Sequence, residues 1–388
     1  MKRSLWFQIP AFIIIRVVIN TAVRMVYPFL PVFGRGLGVD LWMLSLAVTL
    51  RQGAGALGPF LASVADSRGR KTGMAFGVLL FTCGAALIAV WPTYPAFVLA
   101  LILTIVGNLV FIPSMQAYLG DRVPYQRRGR VLGLTEFGWS LSFILGVPLV
   151  GFLIARGGWQ SPFPILAGLG LLALGGLAWL LPKDPTPDGN LPGFWKNLSS
   201  VFAFGPARAG LLMGVSFSAA NELVNLIFGV WMEDSFGLKI AALGAASAVL
   251  GISELGGESL ASGLSDWLGK SRAVGAGLFL NSLAALGLPL LGASPTGALI
   301  GLFLFYLTFE FTLVSSIPIM TEILPAARAT LMATYIAGFS VGRGFGDLMA
   351  PTLYGWGMPA IAVGTVLLNL VALIALQRLR QKTLIPSH

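Results

Sequence analysis

The chain alternates long apolar runs with short polar or basic stretches. Six runs lie at about 6–33, 41–64, 72–91, 95–120, 130–154 and 160–181, and six more at about 208–232, 240–263, 272–292, 297–323, 329–354 and 358–377. A helix of about 20 residues crosses ~30 Å of hydrocarbon, so each run is long enough to span a membrane. The strict alternation of transmembrane β-strands is absent. The pattern predicts an all-α integral membrane protein with twelve transmembrane helices.

One polar, proline-rich stretch at 182–192 separates the sixth run from the seventh. Clusters of proline in a polar segment are typical of linkers. The sequence therefore predicts three parts: an N-terminal six-helix bundle at 1–181, a cytoplasmic linker at 182–207 and a C-terminal six-helix bundle at 208–388.

The two predicted halves repeat short motifs at an offset of about 200 residues. The segment 66–71 after the second run corresponds to 266–270 after the eighth, and 121–124 corresponds to 322–325. The glycine and serine positions Gly138, Ser142 and Gly146 likewise parallel Gly338, Gly342 and Gly346. Repeated halves with a binding site at their interface are typical of secondary transporters.

Composition and charge support a membrane protein with a defined orientation. Of 388 residues, 56% are hydrophobic and 10% are charged, against about 25% charged in soluble proteins. Most lysines and arginines fall in loops on one predicted side, and such loops are cytoplasmic. We expect an inner-membrane protein with both termini in the cytoplasm, embedded in the lipid bilayer. The net charge of +10 comes without a basic, aromatic-lined stripe, so nucleic acid is not an expected partner.

The sequence lacks the residues that several kinds of chemistry require. Cys83 and His388 are the only cysteine and the only histidine, which argues against a disulfide, a thiolate metal cluster and histidine-based catalysis. No Walker loop is present, which argues against direct use of ATP. We expect a monomer that is not an enzyme and needs neither a cofactor nor a metal.

The loop after the second run carries Asp66, Gly69, Arg70 and Lys71 in a specific spacing. It resembles the signature of the major facilitator superfamily, Gly-x-x-x-Asp-Arg-x-Gly-Arg-Arg/Lys, with Ala62 and Ser67 at two of its positions. The resemblance implies two six-helix bundles that rock around a central cavity, giving alternating access. It also implies a cytoplasmic gate in which Asp66 caps span eleven and Arg70 pairs with Asp121.

Within that superfamily the chain looks most like the drug/proton antiporter branch. The branch signature in span five is Gly-Pro-x-x-Gly-Gly, and Pro148 and Gly151 match it in register. The usual arginine inside span four is missing from the region 104–108. The resemblance implies proton-coupled export, and these departures leave the proton coupling open.

Ten ionisable residues lie well inside the apolar runs. Each would cost about 2.5–3.5 kcal/mol if it faced lipid at the bilayer centre, so they must pair with one another or line a wet cavity. Because the basic residues concentrate in the first half and the acids in the second, we expect some pairs across the interface. They are Arg16, Arg24, Arg51, Glu136, Glu222, Glu254, Glu258, Glu310, Arg343 and Asp347.

Four glutamates are candidates to carry a coupled proton. Glu222 is the first choice and Glu310 the second, because each lies near mid-span with no arginine on its own helix. Glu254 and Glu258 are four residues apart on one face, where repulsion makes one easier to protonate. Asp347 is a poor candidate, because Arg343 four residues earlier favours a permanently ionised pair.

A second set of residues is predicted to line the substrate cavity. It comprises Asn20, Arg24, Arg51, Glu136, Asn221, Asn225, Arg343 and Asp347. Arg24 and Arg51 either hold an anionic headgroup or neutralise the acids opposite. A cavity with apolar walls and few charges suits amphipathic solutes better than sugars.

Three functions remain open at this point. The first is proton-coupled export of lipophilic or amphipathic small molecules by alternating access. The second is movement of an anionic amphiphile or lipid-like solute, held by the intramembrane arginines without proton coupling. The third, a remote alternative, is a membrane-embedded enzyme.

Overall fold

A computed structural model of the protein describes residues 3–60, 69–182 and 194–383, which form helices without a strand among them. The helices are α1 (Arg3–Arg24), α2 (Leu30–Leu37), α3 (Leu41–Ala56), α4 (Arg70–Val90), α5 (Tyr94–Arg122), α6 (Tyr125–Leu141), α7 (Val147–Gly157), α8 (Pro162–Leu180), α9 (Phe194–Ala203), α10 (Gly205–Phe236), α11 (Ile240–Leu268), α12 (Lys270–Leu291), α13 (Pro295–Ile323), α14 (Arg328–Gly355) and α15 (Met358–Thr383). A π-helical turn, Ser142–Gly146, joins α6 to α7.

The described residues contain ten helical segments long and apolar enough to cross a membrane, and an eleventh if α2 and α3 count as one bent span. The prediction of an all-α multi-pass membrane protein is therefore confirmed. The predicted run 329–354 forms α14, which is not among the ten. Arg343 and Asp347 within this helix lower its hydropathy.

The first predicted run, 6–33, does not form one continuous helix. It divides into α1 and α2, which are separated by residues 25–29. The break has a local cause in Pro28, which lacks an N–H group and whose ring clashes with the carbonyl four residues earlier in a helix. That earlier residue is Arg24, where α1 ends.

The chain divides into two compact units by its internal contacts. The first unit contains residues 1–40, 60–191 and 239–251, and the second contains 41–59, 192–238 and 252–388. The units differ from the two halves predicted from sequence at α3 and at the first part of α11. α3 packs within the second unit against α14, and the start of α11 packs within the first.

Small residues let the helices of the first unit approach closely. A Cβ atom placed on Gly77 of α4 would lie 2.5 Å from the carbonyl oxygen of Gly107 on α5. A Cβ atom on Gly138 would likewise lie 2.7 Å from the Cβ of Arg16 on α1, and one on Gly146 would overlap the side chain of Thr21. Such small-residue contacts are the usual means of packing helices in lipid.

The second unit is built around α10, most of which is buried. α14 and α15 pack along α10, and α13 packs on α10 and α12. Gly342 of α14 lies against Ser218, and Gly346 lies against Glu222. Phe217 and Tyr335 belong to the hydrophobic core of this unit.

Candidate functional site

Two arginines and two acids from three helices form a charged cluster in the second unit. They are Arg51 of α3, Glu222 of α10, and Arg343 and Asp347 of α14. Glu222 and Asp347 are fully buried, and Arg51 is 2% exposed. A Cβ atom on Gly346 would lie 2.7 Å from the Cβ of Glu222, so a glycine at this position brings α14 onto α10 beside the acids.

Glu222 and Asp347, here called the acid pair, lie on packed helices and are both fully buried, since Gly346, the residue before Asp347, meets the Cβ of Glu222. Neither carboxyl oxygen of Asp347 accepts a hydrogen bond from a donor in the described part of the chain. Two buried carboxyl groups on adjacent helices repel each other when both are ionised, and a proton on one of them relieves this repulsion. The arrangement can therefore hold one proton between two helices.

Arg343 pairs with Glu222 of α10 rather than with Asp347 on its own helix. Its Nε atom lies 3.9 Å from Oε2 of Glu222. The hydrogen-bonded ion pair that we expected between Arg343 and Asp347 is not present, since neither carboxyl oxygen of Asp347 has a hydrogen-bond partner among the described residues. A spacing of four permits such a pair but does not require it when another helix supplies an acid.

A short chain of hydrogen bonds connects the acid pair to α13. The hydroxyl of Tyr306 donates to Oδ1 of Asn225 at 2.8 Å, and Nδ2 of Asn225 donates to Oε2 of Glu222 at 3.2 Å. Both Asn225 and Tyr306 are buried. Tyr306 was not predicted from the sequence, although it lies one helical turn before Glu310 and shares its helix face.

α3 approaches the charged cluster from the other side of α14. The hydroxyl of Ser45 donates to the backbone carbonyl of Asp347, and Gly344 faces Gln52. Arg51 lies one residue before Gln52 on α3 and is likewise buried. This placement favours charge balance as the role of Arg51, one of the two alternatives left open by the sequence.

In the first unit, Arg16 and Glu136 form a two-pronged ion pair between α1 and α6. The two guanidinium nitrogens donate to the two carboxylate oxygens at 2.8 and 2.9 Å. The side chain of Arg16 is 4% exposed and that of Glu136 is 48% exposed. The pair lies within one unit, unlike the pairs that we expected across the interface.

Asn20 and Arg24 follow Arg16 along α1 and are both engaged within the first unit. Nδ2 of Asn20 donates to the carbonyl of Gly138, and Asn108 donates to Oδ1 of Asn20 at 2.9 Å. Arg24 donates to the carbonyl of Trp139, and its guanidinium lies 3.4 Å from the ring centre of Phe143. These contacts hold a buried cation between aromatic rings.

The other predicted proton carriers lie on α11 and α13. Glu254 and Glu310 are buried, and Glu258 is half-buried. Glu310 lies at a close crossing, because a Cβ on Gly257 of α11 would come within 2.8 Å of its Cβ. Asn221, predicted to line the cavity, is 4% exposed, and its Oδ1 accepts no hydrogen bond within the described residues.

The structure brings two of the three predicted gate residues together. Nε of Arg70, in the first turn of α4, lies 3.6 Å from Oδ2 of Asp121, in the last turn of α5. Asp66 lies outside the described residues. Lys270 and Glu322, at the corresponding positions of the repeat, form an ion pair in the second unit.

Most of the chain matches the model of one protein family. The model of the Major Facilitator Superfamily matches residues 12–346. The chain belongs to the Major Facilitator Superfamily. The members of this superfamily are membrane transporters rather than enzymes, so membership argues against the remote alternative of a membrane-embedded enzyme.

Curated relatives include transporters of two bacteria. An uncharacterised transporter of this superfamily from Bacillus subtilis, YwfA, is 31% identical over 35% of this chain and 33% of its own length. A second, YceJ, is 27% identical over 61% of this chain and 60% of its own length. The quinolone resistance protein NorA of Staphylococcus aureus is 27% identical over 53% and 54%. The chain thus aligns with about one third to three fifths of these relatives.

Solved structures show the same fold along the whole chain. A bacterial homologue of the human lysosomal transporter Spinster superposes with a TM-score of 0.82 at 14% identity and covers 100% of both chains. A D-xylose–proton symporter superposes with a TM-score of 0.78 at 16% identity, covering 95% of this chain and 97% of its own. The fold of this chain is that of these transporters.

Proposed function

We propose that this transporter exports lipophilic or amphipathic small molecules by alternating access, in exchange for protons. The observation that carries the proposal is the acid pair of Glu222 and Asp347, buried between α10 and α14. Proton coupling needs an acid group that can gain and lose a proton inside the membrane, and two adjacent carboxyl groups provide one.

The charge balance of the cluster connects proton binding to a cationic substrate. With both acids ionised, the two arginines and two acids cancel. With one proton on the acid pair, the cluster carries one excess positive charge, which repels a cation. A lipophilic cation and a proton therefore compete, as exchange requires. A shift of α3 along α14 would move Arg51 relative to Asp347 and change the tendency of the acid pair to hold its proton.

The relatives support a solute of this class. One of them is a quinolone resistance protein, and quinolones are small aromatic amphiphiles. We propose the same substrate class for this chain. We further propose a monomer in the inner membrane with both termini cytoplasmic, six-helix bundles at 1–181 and 208–388, and a gate formed by Asp66, Arg70 and Asp121.

The test is substrate-induced proton movement in proteoliposomes, followed with a pH-sensitive dye and a panel of lipophilic cations and anionic amphiphiles. We expect proton counterflow with a cation, and its loss in Glu222→Gln and in Asp347→Asn. Glu233→Gln, at the end of the same helix α10, is the matched control and should keep the counterflow.

Other outcomes identify other mechanisms. Unchanged pH dependence in both Glu222→Gln and Asp347→Asn would exclude the acid pair, and loss of coupling in Glu310→Gln alone would move the proton site to α13. Transport of an anionic amphiphile without proton flux would favour the second function. The contacts that hold Arg24 between Trp139 and Phe143 support that alternative, because they position a cation inside the first unit.

A further inference from the structure

A cavity of about 410 Å³ lies between the start of α10 and the end of α15. Its volume falls within the range of about 300–1,000 Å³ that is typical of ligand sites. None of the four residues of the charged cluster lines it. Two arginines, Arg208 of α10 and Arg378 of α15, line the cavity together with apolar residues of both helices.

The two arginines are exposed and available to a ligand. Neither Arg208 nor Arg378 forms an ion pair or a side-chain hydrogen bond with any residue in the described part of the chain. Gly205, the first residue of α10, also lines the cavity, so the positive end of a helix dipole faces the same space. Two free guanidinium groups beside a helix N-terminus attract an anion.

The walls of the cavity are apolar and continuous with the outer surface of the second unit. Leu212, Val371 and Ile374 are each about half exposed, which in a membrane protein places them against lipid chains. Ala209 on the same wall is small and leaves room beside them. A free phosphate ion would gain nothing from these walls, whereas acyl chains would.

We propose that this cavity binds an anionic phospholipid, with the headgroup phosphate between Arg208 and Arg378 and the acyl chains along Leu212, Val371 and Ile374. The proposed orientation of the chain places it in the cytoplasmic leaflet, where basic pockets between helices bind anionic headgroups. A second copy of the chain fits poorly, because a two-fold interface centred on this cavity would gather four arginines at one place.

A second groove provides an internal comparison. A cavity of about 290 Å³ lies between α1 and α8 and is lined by apolar residues such as Ile14 and Leu172, with Gln8 and no charged side chain. It offers acyl chains a similar surface without a site for a headgroup. Lipid bound there should not distinguish anionic from zwitterionic headgroups.

The experiment is native mass spectrometry of the full chain, delipidated in detergent and titrated with palmitoyl-oleoyl phosphatidylglycerol or with the phosphatidylcholine of the same chains. An arginine near a headgroup contributes about five-fold in affinity, so two predict a preference of roughly 25-fold for the anionic lipid. The double variant Arg208→Gln/Arg378→Gln should reduce this preference to about three-fold or less. Arg272→Gln, an exposed arginine of α12 outside the cavity, should keep it.

Each contrary outcome overturns the proposal. Equal binding of the two lipids by the unchanged protein, or a preference that survives in the double variant, would exclude the site. Equal loss in Arg272→Gln would show a general charge effect. Displacement of the lipid by an equal concentration of glycerol phosphate would indicate a free-anion site.

A further variant tests the apolar wall. Ile374→Trp, which fills the groove and leaves both arginines, should weaken retention of phosphatidylglycerol. The melting temperature of each variant confirms that it is folded. None of these readouts depends on transport.

Discussion

Within the described residues, each unit has an ion pair between helices about 120 positions apart in the sequence, and the two pairs have opposite polarity. In the first unit, the cation Arg16 is on α1 and the acid Glu136 on α6. In the second, the acid Glu222 is on α10 and the cation Arg343 on α14. The first pair has two short hydrogen bonds, whereas in the second Nε of Arg343 lies 3.9 Å from Oε2 of Glu222. The tighter pair suits a structural role, and the looser one leaves Glu222 able to change partners.

We therefore expect Glu136→Ala to destabilise the protein without removing proton coupling. The substitution leaves Arg16 buried without its acid, and loss of hydrogen bonds between charged groups costs about 1.5–3 kcal/mol. The thermal unfolding midpoint in detergent should fall. The double variant Arg16→Met/Glu136→Leu should recover much of this loss, because no buried charge is left behind.

The matched control is the pair of Lys270 and Glu322, whose side chains are 36% and 61% exposed. Exposed ion pairs contribute about 0–1 kcal/mol, so Glu322→Ala should shift the midpoint little. An equal shift in the two single variants would contradict a structural role for the pair of Arg16 and Glu136.

Sequence reasoning found the charged residues inside the spans but not their partners. It identified Arg16, Glu222 and Asp347 because their burial cost forces them to be engaged. It failed for the pair of Arg343 and Asp347, because helical spacing describes one helix and the decisive acid, Glu222, lies 121 positions away in sequence. The neighbours of a side chain on other helices follow from packing, which a single sequence does not encode locally.

At the scale of elements, glycines determine which helices pack most closely. Gly77 and Gly107 place α4 and α5 in backbone contact, and Gly342 and Gly346 do the same for α14 and α10. The length of the apolar runs predicted the helices and their approximate ends. The break of the first run at Pro28 was missed because the apolar run continues through it. A proline inside a helix nevertheless predicts a break or kink at that point.

We expect Gly77→Val to separate α4 from α5. The new side chain would overlap the carbonyl of Gly107, and overpacking of this kind costs about 1–3 kcal/mol. Gly175→Val on α8 is the control, since no neighbouring atom lies within 4 Å of its Cβ position and the helix propensity changes equally. The thermal midpoint of Gly77→Val should fall well below that of Gly175→Val, and equal midpoints would contradict the close crossing.

At the scale of the molecule, the repeat suggested by loop motifs reappears in the backbone. In the part of the chain that the structure describes, positive φ angles occur at six glycines, which form three pairs about 200 positions apart: Gly38 with Gly237, Gly69 with Gly269, and Gly158 with Gly357. Gly69 and Gly269 precede corresponding helices, α4 and α12. Only glycine adopts these angles without strain, which explains why the repeat kept this residue where other positions diverged.

The repeat and the distribution of basic residues lead to one prediction about the whole chain, that both termini and the Arg-rich loops face the cytoplasm. Single cysteines in a Cys83→Ser background would test it in intact cells with a membrane-impermeant maleimide. Thr93→Cys, in the exposed turn between α4 and α5, should be labelled at once. Arg127→Cys, exposed in the first turn of α6, should be labelled only after the membrane is permeabilised. The reverse pattern would invert the topology and place the lipid cavity in the outer leaflet, because the positive-inside rule would then fail for this chain.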